Sequence, residues 1–400
     1  MRRALLGPVL LALALRLALV LATDRVAGDV ERYQRVGAHL LDVSPNPYAT
    51  KRLYPYPPPW AIVEAGSEWL ARRGVGSFAV NVKLPVLAAD LLMVGVLFAV
   101  ARAGRASPLA PWLYALHPVS LLVGSAHGQF DAIPLVLLLL AVDALARGRR
   151  DASAVALAAA IATKSFPILA LPFLALGARA SWREAARYAA LALLPGALLL
   201  LPFAIADPGA LRRELLAYGG IADFGWTGVW RGVEWAATGV LPRSEARSWP
   251  VASFLSKALF LAAWALLALA VVTRRLRLAP ERAVLATLLA FSALYGLLSA
   301  QYLLWVVPLS LLRPGRATAL HAAAATAGLV GFYLFLAPGV LAPAPLEGDA
   351  ALRAGRLWLF GAAATFAVSF AWLVTVIREG REGFRAATDA RAQPSISPSR

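Results

Sequence analysis

Few side chains in this 400-residue chain could do chemistry inside an apolar environment, and they fall into two sets. The first is cationic: Arg16, Lys83, Lys164 and Lys257 each sit within a long apolar run. A charge held in lipid is costly and marks a functional candidate. Two readings stay open for each. The long side chain can snorkel to the membrane surface, or several can converge on an anionic group, for which a lipid phosphate has the matching charge-assisted hydrogen-bond chemistry. The second set is acidic and polar. Asp24 and Asp29 follow the first apolar run, and "AHGQFD" brings His127 and Gln129 close to Asp131. These groups can cap helices. They can also supply a carboxylate that takes a proton while a cation stabilises a leaving phosphate, which is the equipment of group transfer. Gln301 and Tyr302 in "SAQYLLW", and Trp226, Trp230 and Trp235 in "DFGWTGVWRGVEW", are further candidates for contact with a ligand or for anchoring at an interface. Asp90 and Asp143, deeper in their apolar runs, read as structural.

The elements that must position these residues follow from composition. The chain is 60% hydrophobic and only 15% charged, with a mean hydropathy of +0.68, so its apolar surface requires lipid. Runs of about 20 apolar residues recur from end to end, which predicts an all-α, polytopic transmembrane helix bundle and no soluble domain. The spans are drawn at 4–23, 77–101, 108–126, 129–146, 151–163, 165–177, 186–206, 251–273, 281–299, 300–312, 317–338 and 355–377, about twelve with some short or broken. Residues 1–377 form one domain, and 378–400 a polar cytoplasmic tail with the composition of a disordered segment. The opening Met1-Arg2-Arg3 and the run to Ala22 read as a retained first span, not a cleaved signal. There is no cysteine, which excludes disulfides, thiolate nucleophiles and cysteine-ligated metal.

The net charge of +17 flanks apolar spans instead of forming a stripe, so it reports membrane topology and not nucleic-acid binding. With the N-terminus inside, the inner segments carry 21 basic and six acidic residues, against 14 of each outside. This bias requires broken pairs at 151–177 and 281–312. It also places both termini in the cytoplasm and all four buried cations in the outer half of the bilayer. Lys83 and Lys257 then lie about 9 Å below an outer end.

Two outer loops, 24–76 and 207–250, are long, and the chemistry is expected there. The first holds two amphipathic surface helices, one presenting Val30, Tyr33, Gly37, Leu40 and Leu41 and the other Ile62, Val63, Gly66, Trp69 and Leu70. Between them "SPNPYATKRLYPYPPPW" is too proline-rich for a helix and puts Tyr54 and Tyr56 along a groove.

In order along residues 4–312, "GDVERYQRVG", "NPY", "YPYPPPW", "HPVSLLVGSAHGQFDAIPLVLLLLAV", "ATKSFPILALPFLAL" and "SAQYLLWVVPL" resemble the GT-C superfamily of integral-membrane glycosyltransferases. The nearest branch is bacterial glycosyltransferase family 87 with the polyprenyl-phosphate-mannose-dependent mannosyltransferases. The resemblance implies a plasma-membrane enzyme with an extracytoplasmic active site, a polyprenyl-phosphate-linked sugar donor, a glycan or glycolipid acceptor, membrane lipid as solvent and no nucleic acid. It also implies a catalytic aspartate in the first outer loop, which lands on Asp29, with Asp24 as the fallback. That loop has no Asp-Asp or Asp-x-Asp pair, which speaks against a metal-dependent variant of the family; no cofactor is required on this reading, and a divalent metal stays open. Asp131 joins Asp29 as a catalytic candidate. Lys83, Lys164, Arg16 and Lys257 are expected at the donor phosphate, and His127, Gln129, Tyr54, Tyr56, Gln301 and Tyr302 at the sugar or acceptor. A transporter or flippase of lipid-linked sugars is the alternative; it predicts charges at the bilayer midplane and pseudo-symmetric spans, neither of which the sequence shows. A non-catalytic scaffold would depend on none of these charges.

Overall fold

The computed structural model describes residues 2–50, 53–178, 181–216, 220–242 and 249–392. The described residues are helical almost throughout and contain no strand. The order is α1 Arg2–Ala22, α2 Asp29–Asp42, α3 Pro59–Arg72, α4 Phe78–Arg102, α5 Ala110–Ala115, α6 Pro118–Ser120, α7 Ala132–Ala146, α8 Arg150–Thr163, α9 Leu171–Ala178 and α10 Trp182–Ala206. It continues with α11 Pro208–Leu211, α12 Gly225–Thr238, α13 Trp249–Val272, α14 Pro280–Leu294, α15 Val307–Ser310, α16 Arg316–Phe335 and α17 Gly348–Ala392. Six helices are long and apolar enough to cross a membrane unaided: α1, α4, α10, α13, α16 and α17. Shorter apolar segments at Ala132–Ala146, Phe166–Ala178 and Ala300–Ser310 pack among them.

Both expected broken pairs are present, and each break has a local cause. After α8, Lys164 is extended (φ −152°, ψ 139°) and a short 3-10 turn at Phe166–Ala170 leads into α9. Pro167 there lacks the N–H that a continuing helix would use. After α14 the chain leaves the helix at Tyr295 and re-enters through a 3-10 turn at Ala300–Leu304. The expected span 108–126 is also broken. Pro118 holds His117 extended (ψ 115°), so α5 stops, and the chain resumes as α6 and a π-helical stretch at Leu121–Ala126. The last helix continues beyond Ile377 to Ala392, where the composition had suggested a disordered tail; residues 393–400 lie outside those described.

The two loop helices behave differently. Helix α2 buries Val30, Tyr33, Val36 and Gly37, much of the face expected from its periodicity. Helix α3 buries Trp60, Ala61, Glu64, Ser67 and Glu68 and turns its apolar face outward, leaving Ile62 76% and Trp69 44% exposed. That outward face suits a helix lying on a membrane surface. Burial holds the Glu64 carboxyl well above its ordinary range, so the group enters the α2–α3 contact uncharged.

Tight helix packing uses small residues. A Cβ added to Gly361 of α17 would collide with the Gly328 nitrogen of α16, so these two backbones touch directly. The largest polar investment in the bundle is Arg16. It is completely buried, 3.1 Å from the Asp90 carboxylate, and donates to the carbonyls of Ala115 (2.8 Å) and Tyr114 (3.1 Å) and to Ser120 Oγ (2.8 Å). The Tyr114 hydroxyl donates to Asp90 as well. The sequence had offered Arg16 no acidic partner and had placed it near the donor phosphate. Instead α1, α4 and the broken α5–α6 segment are tied together by it, because Arg16 satisfies carbonyls that the break at Pro118 strands. Arg16→Met should therefore destabilise the purified protein by about 3–5 kcal/mol by leaving Asp90 buried alone. Arg16→Met/Asp90→Leu should recover part of that loss, as read from thermal midpoints in detergent.

Candidate active site

Where α1 ends, the chain turns through Thr23–Gly28 and enters α2 at Asp29, and Gly28 with the start of α2 forms one wall of a cavity of about 500 Å³. The wall carries Asp29, Arg32 and Arg35 from α2 and Tyr56 from the proline-rich loop; His127, Asp223, Arg231 and Gln301 face them from the other segments. Leu241, Phe332 and Leu336 supply an apolar side.

Asp29 is the first residue of α2, and its carboxylate is 23% exposed. Gln129 Nε2 donates to its Oδ2, and His127 Nε2 lies 3.5 Å from the same oxygen. Gln129 is itself fully buried and accepts through Oε1 from the Tyr33 hydroxyl at 3.1 Å. Burial keeps the Tyr33 phenol protonated, so this donor is permanent. His127 shares a hydrogen bond between Nδ1 and the Tyr333 hydroxyl (3.1 Å). Its burial outweighs the nearby Asp29 carboxylate and holds the imidazole below its ordinary range, hence neutral. The two residues are brought to Asp29 by a turn at Gly128, whose φ of +84° is a left-handed conformation. A Cβ there would press on Lys83 and Val30 at 3.1 Å.

The remaining expected residues divide sharply. Gln301 and Tyr56 line the cavity. Tyr302 does not; it packs edge-on against Phe291 and tilts against Trp305. Tyr54 is fully buried, donating to the Pro57 carbonyl (2.6 Å) and accepting from the Ala61 amide (2.8 Å), so it fastens the loop to the start of α3 instead of lining a groove. Asp24 accepts from Ser77, the N-cap of α4, and is an exposed cap partner away from the cavity wall.

Asp131 is entirely buried, with Lys164 Nζ at 2.7 Å on Oδ2 and Trp305 Nε1 at 2.6 Å on Oδ1. It thereby bridges the breaks after α8 and after α14. Lys164 also lies over the rings of Phe130 (4.6 Å) and Tyr56 (5.3 Å). Neither residue reaches the cavity wall. Lys83 has all three donors engaged, by the Thr23 carbonyl (2.8 Å), Thr23 Oγ1 (2.9 Å) and the Ala126 carbonyl (2.9 Å). It closes the ends of α1 and of the π-helical stretch. Lys257 lies partly buried on α13, outside the cavity wall. The four buried cations thus do not converge. Trp226 donates to the Leu294 carbonyl and Trp235 packs on Phe335, so these two indoles are used for packing.

Arg32, Arg35, Asp223 and Arg231 escaped the sequence reading. Arg32 and Arg35 are exposed on the turn of α2 that follows Asp29, with Arg32 Nη1 3.7 Å from Asp29 Oδ1. The helical period places Arg32 beside Asp29, and Arg35 one such step further on, and could have flagged them. Asp223 had no such signal, since its neighbours come from distant parts of the chain. Its Oδ1 is 3.5 Å from Arg231 Nη1, and desolvation, opposed by Arg231 and reinforced by Asp29, pushes its acid up to about 7. A second cavity, of about 560 Å³, lies at the other end of α4, between Arg105, Asp143, Glu281 and Arg313, and holds none of the expected site residues.

Because Lys83 closes two helix ends and Lys257 closes none, Lys83→Met should lower the thermal midpoint markedly, whereas Lys257→Ala should stay within about 0.5 kcal/mol of the parent stability.

Residues 39–180 match the family model described as "Alpha-(1->6)-mannopyranosyltransferase, N-terminal domain". No curated protein matches. Among solved structures, the crystal structure of ArnT from Cupriavidus metallidurans bound to undecaprenyl phosphate is 15% identical, with a TM-score of 0.41, over 98% of this chain and 82% of that one. ArnT from the same organism in the apo state is 17% identical, with a TM-score of 0.43, over 94% of this chain and 77% of that one. The match over residues 39–180 covers about a third of the chain, from α3 to α9 with the segment that presents His127 and Gln129, and over that part this multi-pass helical chain is similar to the alpha-(1->6)-mannopyranosyltransferases.

Proposed function

We propose that the chain transfers a hexose, mannose in the first instance, from a polyprenyl-phosphate donor to the hydroxyl of a glycan or glycolipid, with inversion, at the outer face of the plasma membrane. The observation that carries this reading is the environment of Asp29. It is a partly exposed carboxylate in a cavity, fixed by a buried amide that a buried phenol holds in turn. A group so placed can take a proton from an entering hydroxyl without reorganising.

In the proposed step the acceptor oxygen attacks the anomeric carbon as the bond from that carbon to the phosphate oxygen breaks. The bonding pair leaves with the phosphate, and the acceptor proton passes to Asp29. Gln129 and His127 keep the carboxylate aimed. The exposed guanidinium groups of Arg32 and Arg35 replace Lys83 and Lys164 as the source of charge for the departing lipid phosphate, since both lysines are consumed by the fold. The positive-inside bias supports cytoplasmic termini and a cavity that opens outward.

The transfer is proposed to need no metal. A lipid phosphate is already a good leaving group, so on this reading a carboxylate base completes the transfer without metal assistance. Turnover should therefore be unchanged after exhaustive treatment with EDTA; a loss restored by Mg²⁺ or Mn²⁺ would overturn this. With radiolabelled polyprenyl-phosphate hexoses and purified protein, Asp29→Asn should reduce turnover by about a hundredfold or more. Gln129→Leu should lower it less, with the donor KM little changed. Full activity in Asp29→Asn would remove the base assignment.

A further inference from the structure

Resting on the transfer reading, we infer that Asp223, held by Arg231, is the carboxylate that grips hydroxyl groups of a neutral acceptor sugar, opposite the base Asp29. Its backbone is built into place from three directions. The amides of Asp223 and Phe224 both donate to the Leu298 carbonyl (3.1 and 2.9 Å), and the Asp223 carbonyl accepts from the indole of Trp358 on α17 (2.8 Å). Gly228 of α12 sits directly on that carbonyl, where a Cβ would come within 2.7 Å. Arg231 is fixed independently, since its guanidinium donates to the carbonyls of Ala222 and Pro242 while facing Asp223 Oδ1. A loop carboxylate that only served solubility would need none of this.

The chemistry of the ligand follows from the charges around it. Facing Asp223 across the cavity are Asp29 and Glu31 of α2, with neutral His127 between the segments and Arg231 on its own side. An anionic acceptor would meet two further carboxylates at this end, whereas the exposed cations Arg32 and Arg35 lie on α2 where the donor phosphate is proposed. A neutral polyol suits the Asp223 side. Its hydroxyls can donate to Asp223 while Arg231 keeps that carboxylate aimed, and Phe332 offers an apolar face beside it. Hydroxyl recognition by a buried, pre-aimed acceptor is where a sugar site gains most discrimination, because an analogue lacking that hydroxyl leaves the acceptor unpaired.

Asp223 is a positioning residue on this account, so its loss acts on binding and not on the chemical step. The test is equilibrium binding of octyl α-D-mannopyranoside to the full-length protein in detergent, without donor, at pH 8 and pH 6, with a set of monodeoxy analogues. At pH 8, Asp223→Asn should weaken binding about tenfold. In the parent protein one deoxy analogue should lose a similar factor, and in Asp223→Asn that analogue and the full mannoside should bind alike. The acid of Asp223 lies at about 7, so protonation on going from pH 8 to pH 6 should weaken binding in the parent and leave Asp223→Asn unchanged. Asp223→Glu and the thermal midpoint report on folding. Under turnover, the acceptor KM should rise with kcat retained. Mannoside binding that ignores the substitution, the deoxy position and pH, or a loss of kcat at constant KM, overturns the assignment. Binding that follows the pattern without any transfer leaves Asp223 as a sugar-holding group and removes the transfer reading. Transfer with Asp223→Asn binding as the parent does removes only the role of Asp223.

Discussion

Backbone polar groups that leave a helix inside hydrocarbon have no water to bond, and the buried charges of Arg16, Lys83, Asp131 and Lys164 answer that constraint. The bundle breaks its helices at Pro118, at Lys164–Ser165 and at Tyr295–Ser299, and each break lies against a buried polar cluster. Arg16 gathers the carbonyls stranded before Pro118, and Lys83 closes the ends of α1 and of the following π-helical stretch. Asp131 joins Lys164 to Trp305 and so links the second break to the third. These ties fix the positions of the irregular segments on which the cavity is built, including the Gly128 turn that presents His127 and Gln129.

The same constraint explains why the cavity uses different cations. A lysine whose three donors are satisfied by carbonyls at 2.8–2.9 Å cannot also clamp a phosphate without abandoning helix ends to lipid. The charge available to a ligand comes instead from arginines on α2 and from Arg231, on segments that follow spans and do not cross. On the proposed reading, the charges that hold the fold and those that meet a ligand are thereby separated in space. The deep charges hold the scaffold, and the charges on the loop helices face the cavity.

Asp29 connects these two layers. Its helix begins immediately after the turn that Lys83 anchors through Thr23, and its carboxylate is aimed by Gln129, which follows the turn that Lys83 anchors through Ala126. One ammonium group therefore sets the relative position of the carboxylate and of the amide that orients it. This gives Lys83 an effect on the site without contact with it.

The sequence by itself determined the helical membrane class of the protein and most of its helices, while its family resemblance singled out Asp29, with Asp24 as the fallback. Class and helices follow from signals carried along the chain: apolar length and proline and glycine punctuation. The broken pairs were legible for the same reason, because charge bias in the connecting loops is a local count. Only the tertiary structure decided which buried charges are partners. Arg16 and Asp90, or Lys164 and Asp131, lie on different helices, and no periodicity encodes the crossing that brings them within 2.7–3.1 Å. It also decided that Tyr54 and Asp131 are packed away while Asp223 and Arg231 enter the cavity. The position of Asp223 depends on Leu298 and Trp358, which are remote in sequence, and a contact between distant segments leaves no pattern in either one alone.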